Sequence, residues 1–280
     1  MSSLQQLLAK QRPLVMGILN TTPDSFSDGG QFIDTVTAAE HALQMLAEGA
    51  DIIDIGGEST RPGAAAVALD DEIVRVIPVI KKIRQHSDVY ISVDTCKPEL
   101  MRLAIKAGAN MINDVRALQT PGAVEVCAQS HTAVCLMHMQ GEPRSMQSHP
   151  QYNDVVQDIK TFLQQRIRAC LAAGIAADNI VIDPGFGFGK TLQHNLLLLK
   201  KLDVLADLNQ PILVGLSRKS MFGKLLNVDV QDRLPASLAA VVLAYTNGAR
   251  IFRVHDVKPT VDVLRVAHAT AMVSNRVALQ

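Results

Sequence analysis

Polar residues follow each of eight short apolar runs in this sequence. They are Asn20; Glu58, Ser59 and Thr60; Asp94; Asn113 and Asp114; His138; Asp183; Ser217, Arg218 and Lys219; and Arg253 and His255. Carboxylates and an asparagine amide can form paired hydrogen bonds along the edge of a flat, amide-rich heterocycle. Serine, arginine, lysine and histidine side chains together suit a phosphate or diphosphate. The residue types therefore indicate a site that holds a flat polar ring beside an anion.

Each of these residues also has a simpler explanation when it is taken alone. Asp94, Asn113 or Asp183 can be the N-cap of the helix that follows its strand. Lys219 can be a solvated surface lysine, and His138 can be a half-buried structural histidine. N-caps need not supply matched donors and acceptors to one place, whereas a binding site must. The convergence of the whole set therefore favours a function.

The apolar runs are typical of buried parallel strands, because they are continuously apolar rather than alternating. They cover residues 14–19, 51–55, 89–93, 109–112, 133–137, 180–182, 212–214 and 250–254. Amphipathic segments lie between them, and residues 152–171 show a clear helical period. Glycines mark the ends of several predicted helices, at Gly49, Gly108, Gly174 and Gly248.

Eight strand-and-helix units fill the 280 residues at about 35 residues each, which is the size of a βα repeat with its loops. This pattern predicts an α/β fold, a (β/α)8 TIM barrel of parallel strands, with a doubly wound open sheet as the alternative. No linker or low-complexity segment divides the chain, so we expect one domain over residues 1–280. In such barrels the active site lies at the carboxyl ends of the strands, where the polar residues occur.

The composition limits the classes of partner. Lysine and arginine total 27, as do aspartate and glutamate, so the charge is balanced and neither nucleic acid nor an anionic membrane is an expected partner. The start of the chain lacks the pattern of a secretory signal, and no apolar run approaches the roughly 20 residues of a membrane span. Four cysteines show no metal-binding spacing and are expected to be reduced thiols. We therefore expect a cytoplasmic protein.

The stretch IDPGFGFGK, residues 182–190, superficially looks like a phosphate-binding loop. A P-loop needs four residues between its first glycine and the Gly-Lys pair, and here Gly185 and Gly189 enclose three. The dinucleotide fingerprint fails as well, because Lys190 stands where its third glycine would fall. The chemistry of this segment is therefore expected at Asp183, and Lys190 is not expected to bind the anion.

Seven motifs resemble the bacterial dihydropteroate synthases, a pterin-binding family, in the order of that family. They are GILNTTPDSFSDGG (17–30), DIGGESTRPG (54–63), ISVDT (91–95), IND (112–114), DPGFGFGK (183–190), SRKS (217–220) and RVHD (253–256). The resemblance runs from about Val15 to beyond Val257. It implies a transferase of folate biosynthesis that joins 6-hydroxymethyl-7,8-dihydropterin diphosphate to p-aminobenzoate, releasing 7,8-dihydropteroate and diphosphate.

The resemblance also implies roles for individual residues. The pterin ring would be held by Asp94, Asn113, Asp183 and Lys219. The diphosphate would be held by Asn20, Thr60, Arg253 and His255, with Asn20 also a ligand of a Mg²⁺ cofactor. The p-aminobenzoate would be surrounded by Phe26, Arg61, Pro62, Phe186, Lys219 and Ser220. Asp94, Asp183, Lys219, Arg253 and His255 would be the catalytic set.

The family further implies two mobile loops, residues 21–30 and 59–63, which close over the site after the first and second strands. It implies a homodimer and competitive inhibition by sulfonamides, which mimic p-aminobenzoate. This chain departs from the common pattern at Thr22, Cys96 and Ala236, and none of these positions belongs to the expected catalytic set. The alternatives are a pterin-binding methyltransferase that serves a corrinoid and a non-catalytic pterin-binding relative.

Overall fold

Eight parallel strands close into a barrel, each hydrogen-bonded to the next and the last to the first. The computed structural model describes residues 3–22, 35–59, 64, 66–142, 146–148 and 150–273. The strands are β1 Leu14–Asn20, β2 Ile52–Gly56, β3 Tyr90–Asp94, β4 Met111–Asp114, β5 Ala133–Met137, β6 Ile180–Asp183, β7 Ile212–Val214 and β8 Ala249–Val254. The TIM-barrel prediction is confirmed, and the open sheet is excluded because β1 pairs with β8.

Ten α-helices are present in the described residues, and most of them surround the barrel. They are α1 Leu4–Leu8, α2 Thr35–Ala47, α3 Leu69–Arg84, α4 Pro98–Ala107, α5 Ala123–Ser130, α6 Val155–Ala172, α7 Leu192–Lys200, α8 Ser220–Leu226, α9 Leu234–Thr246 and α10 Val257–Met272. The amphipathic segment predicted at 152–171 is α6. Its N-cap, Asp154, accepts hydrogen bonds from the backbone N–H groups of Val156 and Gln157.

The strands are apolar on both faces because each face packs against a different core. Alternate residues point to opposite faces of a strand, so Val15 and Leu19 pack outwards against the helices while Leu14 and Met16 pack inside the barrel. This explains why the runs in the sequence are continuous rather than alternating.

The amino end of the barrel is closed by α1. Leu4 and Leu7 of this helix join the interior cluster formed by the first residues of several strands, including Leu14 and Ile52. Arg250 donates a hydrogen bond of 2.8 Å to the carbonyl of Leu8. Among the residues that the structure describes, side chains of α1 therefore close this end of the barrel interior, opposite the carboxyl ends of the strands.

The strands extend slightly further towards the carboxyl ends than the apolar runs predict. β3, β4 and β6 end at Asp94, Asp114 and Asp183, so these polar residues belong to the strands themselves. Within the described residues, no helix combines the length and the apolar character needed to cross a bilayer. The four cysteines, all inside the described ranges, are free thiols.

Candidate functional site

The carboxyl ends of the strands bring most of the predicted polar residues to one mouth. Asn20 ends β1, Asp94 ends β3 and Asp183 ends β6, while Asn113 is the next-to-last residue of β4. The N-cap explanation fails for Asp94, because the N-cap of α4 is Lys97. It fails likewise for Asp183, because Thr191 caps α7.

Arg253 is the central cation of this mouth. Its Nε donates to Asp54 Oδ2 at 2.6 Å, and its Nη2 donates to Asp94 Oδ2 at 2.9 Å. Burial alone would lower the pKa of Arg253, but the two carboxylates outweigh burial and raise it, so the guanidinium stays charged. The residue expected at the diphosphate is thus held by two carboxylates from β2 and β3.

Asp54 is a site residue to which sequence reasoning assigned no role. It lies inside an apolar strand, is fully buried, and accepts hydrogen bonds from Arg253 and from Asn113 Nδ2, the latter at 3.3 Å. The spacing along β2 indicates its direction. Ile52 points into the barrel, and the residue two positions later must point the same way. A lone carboxylate at an inward strand position requires a cationic or donor partner.

Asp94 is also buried, and burial raises its pKa above the usual range of a carboxyl group. Arg253 opposes this rise, whereas the neighbouring Asp54 and Asp114 add to it. Asp114 itself has a structural role, because its carboxylate accepts the backbone N–H groups of Arg116 and Leu118, both at 2.8 Å. The carboxylate of β3, rather than that of Asp114, is therefore the one directed at the mouth.

Asp183 lies on the opposite side of the barrel from Asp54 and begins the glycine-rich loop. Its Oδ1 accepts the backbone N–H of Gly185 at 2.7 Å. Burial raises the pKa of Asp183 to about 6, against the lowering effects of that hydrogen bond and of Lys219. The group is ionised at neutral pH and can accept paired N–H donors from a ring.

Lys219 is half-buried at the start of α8 and lies against the glycine-rich loop. Its Nζ is 4.4 Å from the ring centroid of Phe188, a cation–π distance. Burial lowers the pKa of Lys219 to about 8, although Asp183 nearby favours the charged form. The explanation of Lys219 as a solvated surface lysine is therefore wrong.

Phe186 does not have the position expected from the sequence. Its side chain is 1% exposed and belongs to the hydrophobic core between the barrel and its helices. Phe188, two residues later and half-buried, is the aromatic side chain next to Lys219. Phe186 is thus too deeply buried to line an open pocket, and Phe188 is the ring of this loop that lies beside a residue of the mouth.

The glycines of this loop are required by a close approach of two backbones. A Cβ on Gly185 would lie 1.9 Å from the carbonyl oxygen of His138, and one on Gly189 would lie 2.4 Å from that of Gln140. Both glycines also have positive φ angles, of 70° and 62°. The loop thus packs directly on the segment that follows β5.

Lys190 stabilises the same loop through hydrogen bonds made inside the protein. It is 3% exposed, and its Nζ donates to the carbonyls of Gly185 at 2.8 Å and Phe188 at 3.0 Å. The Nζ also lies 3.0 Å from His138 Nδ1. Burial lowers the pKa of His138 to about 3, so this histidine is neutral and structural. Lys190 is not directed at an anion, as expected, but its structural role was not foreseen.

The segments that follow β7 and β8 lie side by side and are connected by hydrogen bonds. Ser217 Oγ accepts the backbone N–H of His255 at 3.2 Å and lies 3.1 Å from His255 Nδ1. Arg218 donates through Nε to Asp256 Oδ2 at 3.0 Å. Arg218 is therefore committed to an ion pair, while the ring of His255 is oriented by Ser217.

The remaining predicted residues occupy the rim or lie outside the described residues. Ser220 is exposed and is the first residue of α8. Phe26, Thr60, Arg61 and Pro62, and most of the loops 21–30 and 59–63, lie outside the described residues.

Two residues just beyond β2 and β3 also lie near the mouth. Glu58, just before the second loop, pairs with Lys97 at 2.5 Å. Cys96 is half-buried, and burial raises the pKa of its thiol to about 11, so it is unreactive at neutral pH.

The donor set at the mouth fits a magnesium ion held mainly by a substrate. Within the described residues, no cluster of three or more His, Cys, Asp or Glu side chains could form a complete protein site. Mg²⁺ is commonly held by one or two protein oxygens together with substrate phosphates. A Cβ on Gly56 would lie 4.0 Å from both Asn20 Oδ1 and Asp94 Oδ2, so the absence of a side chain there leaves space between these oxygens.

Comparison with known proteins agrees with this geometry. Residues 16–255 match the family described as "Pterin binding enzyme". The dihydropteroate synthase of Escherichia coli K12 is 54% identical over 258 residues, which cover 92% of each chain. That of Haemophilus influenzae is 51% identical over 259 residues, covering 92% of this chain and 94% of the relative.

Solved structures give the same result. A Yersinia pestis dihydropteroate synthase with a sulfonamide drug complex superposes with a TM-score of 0.90 at 52% identity, covering 94% of this chain and 96% of the other. A Xanthomonas albilineans dihydropteroate synthase with 7,8-dihydropteroate superposes with a TM-score of 0.85 at 46% identity, covering 94% and 95%.

The barrel, the site at its mouth and the family match define a pterin-binding enzyme. Within that class the chain belongs to the dihydropteroate synthase family, over nearly its whole length. Its activity is that of this family, the transfer of a dihydropterinylmethyl group from diphosphate to the amine of p-aminobenzoate. The methyltransferase and non-catalytic alternatives find no support among these relatives.

Proposed function

We propose that this barrel condenses 6-hydroxymethyl-7,8-dihydropterin diphosphate with p-aminobenzoate by a dissociative displacement. The observation that carries the proposal is the convergence of Asp94, Asn113 and Asp183 with Lys219 and Arg253 at one mouth. Departure of diphosphate leaves positive charge on the pterin, and buried carboxylates stabilise such a charge as it develops. The electron-rich bicyclic ring shares that charge.

The pterin is proposed to lie with its amino-pyrimidine edge against Asp183 and Asn113. The Asp183 carboxylate would accept the ring N–H and the exocyclic amino group together. Asp94 would lie at the other side of the ring, and Lys219 would donate to a ring acceptor. Hydrogen bonds from charged groups in a buried site are stronger than those exposed to water, which suits recognition of a very polar ring.

The diphosphate is proposed to lie between Asn20, Arg253 and His255. When bound, Mg²⁺ would neutralise phosphate charge as the leaving group departs, with Asn20 as its ligand from the protein. Arg253 would donate to the phosphate oxygens. His255 would present Nε2, because its Nδ1 faces Ser217.

The arylamine is proposed to lie over Phe188 and beside Lys219 and Ser220. An arylamine is neutral at pH 7, so its attack needs no strong general base. This agrees with the neutral, enclosed state of His138, which contacts Lys190 rather than the mouth. The related proteins solved with 4-aminobenzoic acid and with a sulfonamide support p-aminobenzoate as the second substrate and sulfonamides as its competitors.

The loops 21–30 and 59–63 are proposed to close over the mouth before diphosphate departs. A pterin cation would be captured by water in an open site, so exclusion of solvent protects the reaction. Thr60 would reach the diphosphate, and Phe26, Arg61 and Pro62 would complete the arylamine pocket.

A homodimer is proposed through α9 and α10. Leu243 of α9 is 54% exposed and Val266 of α10 is 69% exposed, on two helices that pack side by side. A second copy would cover these apolar side chains. Leu243→Glu is expected to shift the protein to monomers in sedimentation velocity, and an unchanged dimer would contradict the proposed interface.

The free thiols support a location in a reducing compartment, the cytoplasm.

The decisive experiment measures diphosphate release from purified protein supplied with pterin diphosphate, p-aminobenzoate and Mg²⁺. We expect release that requires both substrates and falls steeply when Mg²⁺ is chelated, while the thermal unfolding temperature of the protein stays unchanged. Folded protein that binds pterin diphosphate but releases nothing would overturn the proposed mechanism.

A further inference from the structure

We propose that Asp54 is a positioning residue for the condensation, which fixes Arg253 and orients the side-chain amide of Asn113. The inference rests on the proposed roles of these two partners at the diphosphate and at the pterin. Asp54 reaches both through one oxygen, Oδ2, which accepts from Arg253 Nε at 2.6 Å and from Asn113 Nδ2 at 3.3 Å. It therefore connects the two halves of the site.

The side-chain amide of Asn113 has a direction that Asp54 determines. An ionised carboxylate only accepts hydrogen bonds, so Asn113 must turn its NH₂ group towards Asp54. The carbonyl oxygen Oδ1 of Asn113 is then on the side away from Asp54. A ring N–H finds an acceptor there instead of a competing donor. Asp54 thus selects which of two nearly isosteric amide orientations the ligand meets.

The guanidinium plane of Arg253 is held by two carboxylates. Arg253 donates Nε to Asp54 and Nη2 to Asp94, and two anchors on one rigid planar group fix its orientation. Neither ion pair uses Nη1. With Asp94 as the only anchor, the guanidinium could rotate about a single contact.

The surroundings of Asp54 favour a positioning role over a purely structural one. Asp54 is fully buried, and its second oxygen, Oδ1, has no hydrogen-bond partner among the described residues. A buried carboxylate oxygen without a partner is costly, and such costs persist where function requires the group. Asp51, by contrast, immediately precedes β2, the strand that contains Asp54. Its carboxylate pairs with both Lys10 and Arg12, and these cations stabilise its charge.

The test compares Asp54→Asn with the matched variant Asp51→Asn. Each removes one buried carboxylate charge, but only the first changes the mouth. Two probes report the two partners separately: 6-hydroxymethyl-7,8-dihydropterin for Asn113, and inorganic diphosphate with Mg²⁺ for Arg253. For Asp54→Asn we expect each probe to bind roughly tenfold more weakly and kcat to fall by roughly a hundredfold. Asp51→Asn should lower the unfolding temperature and leave both affinities within about twofold of the parent.

A rescue experiment tests the orientation itself. In Asp54→Asn the new amide can donate to Asn113 Oδ1 and turn it away from the ligand. The double variant Asp54→Asn with Asn113→Asp restores one defined direction, because the amide at 54 must donate and the carboxylate at 113 must accept. Pterin affinity of the double variant should exceed the value expected from independent effects of the single changes by about fivefold.

The outcomes distinguish this inference from the proposed function. Failure of the parent protein to bind either probe would count against the proposed function itself. Parent binding with unchanged affinities in Asp54→Asn, or a purely additive double variant, would overturn only the role of Asp54. If Asp54→Asn does not fold, the double variant decides: folded protein that binds the pterin supports the inference, and folded protein that does not bind the pterin overturns it.

Discussion

The ammonium group of Lys219 lies 4.4 Å from the centre of the Phe188 ring, across the gap between the exits of β6 and β7. This contact joins the residue proposed to hold the pterin to the residue proposed to support the arylamine. In the proposed arrangement the two substrates therefore share a boundary made of one cation and one aromatic face. A change in the charge of Lys219 is expected to affect both.

Loss of activity above pH 8 should depend on Lys219. Its pKa is lowered to about 8 by burial, so the ammonium is present below that pH and disappears as the pH rises through it. We expect kcat/KM to fall across this range in the parent protein. In Lys219→Arg the charge persists to much higher pH, so the residual activity should show no basic limb near 8. A basic limb at the same pH in both proteins would show that another group is responsible.

Pterin affinity should weaken in mild acid because of Asp183. The pKa of this carboxyl is raised to about 6 by burial, so the anion that accepts the ring donors is present above that pH and is lost as the pH falls through it. Calorimetric titration of 6-hydroxymethyl-7,8-dihydropterin between pH 8 and 5 should show this decline. Asp183→Asn should bind at least about tenfold more weakly at pH 7.5 and depend less on pH. An equally steep pH dependence in the variant would assign it elsewhere, for example to Asp94.

Gly185→Ala should be much more damaging than the same change at Gly174. Both glycines have positive φ angles, 70° and 95°, so both variants carry the backbone strain. A Cβ at 185 would meet the carbonyl oxygen of His138, whereas nothing lies within 4 Å at 174. We expect Gly174→Ala to lose about 1 kcal/mol of unfolding free energy and to keep its activity. Gly185→Ala should lose substantially more stability and most pterin binding, and similar effects of the two changes would disprove the close approach.

Lys190→Met should destabilise the protein although it leaves the mouth residues in place. The change leaves the carbonyls of Gly185 and Phe188 without their buried donor. The expected loss of unfolding free energy is about 3 kcal/mol, measured by urea denaturation. Lys200→Met, at an exposed position on α7, provides the control and should change stability by less than about 0.5 kcal/mol. Equal stabilities of the two variants would argue against a role of the Lys190 hydrogen bonds in stabilising the loop.

The barrel could be predicted from the sequence because its signals are local. Continuous apolar runs of the right length, each preceded or followed by a glycine-terminated helix, identify the strands independently of their partners. Asp94, Asn113 and Asp183 were found for the same reason, since a strand end is a local property and the barrel brings all strand ends to one side. The exits of β1 and β2 were marked by sequence motifs, but most of those loops lie outside the described residues.

Pairings between distant residues could not be predicted in this way. Asp54 and Arg253 are 199 positions apart, and nothing in either neighbourhood specifies the other. Phe186 and Phe188 lie two residues apart in the same glycine-rich loop, and each is flanked by glycines. The sequence does not distinguish the two rings, because only the turn made by the loop decides which one enters the core. The structural role of Lys190 could not be predicted because a lysine is rarely buried, and its partners are carbonyl groups, which every residue has.

The contact of Gly185 with the carbonyl of His138 gives the wall of the site a mechanical connection to the segment after β5. Two backbones in contact leave no compressible side chain between them, so a displacement of residues 138–140 is transmitted to the loop that carries Phe188. We therefore expect substitutions in that segment to alter the proposed selection between p-aminobenzoate and its mimics without touching either ligand. The segment after β5 would then influence the proposed arylamine pocket from outside that pocket.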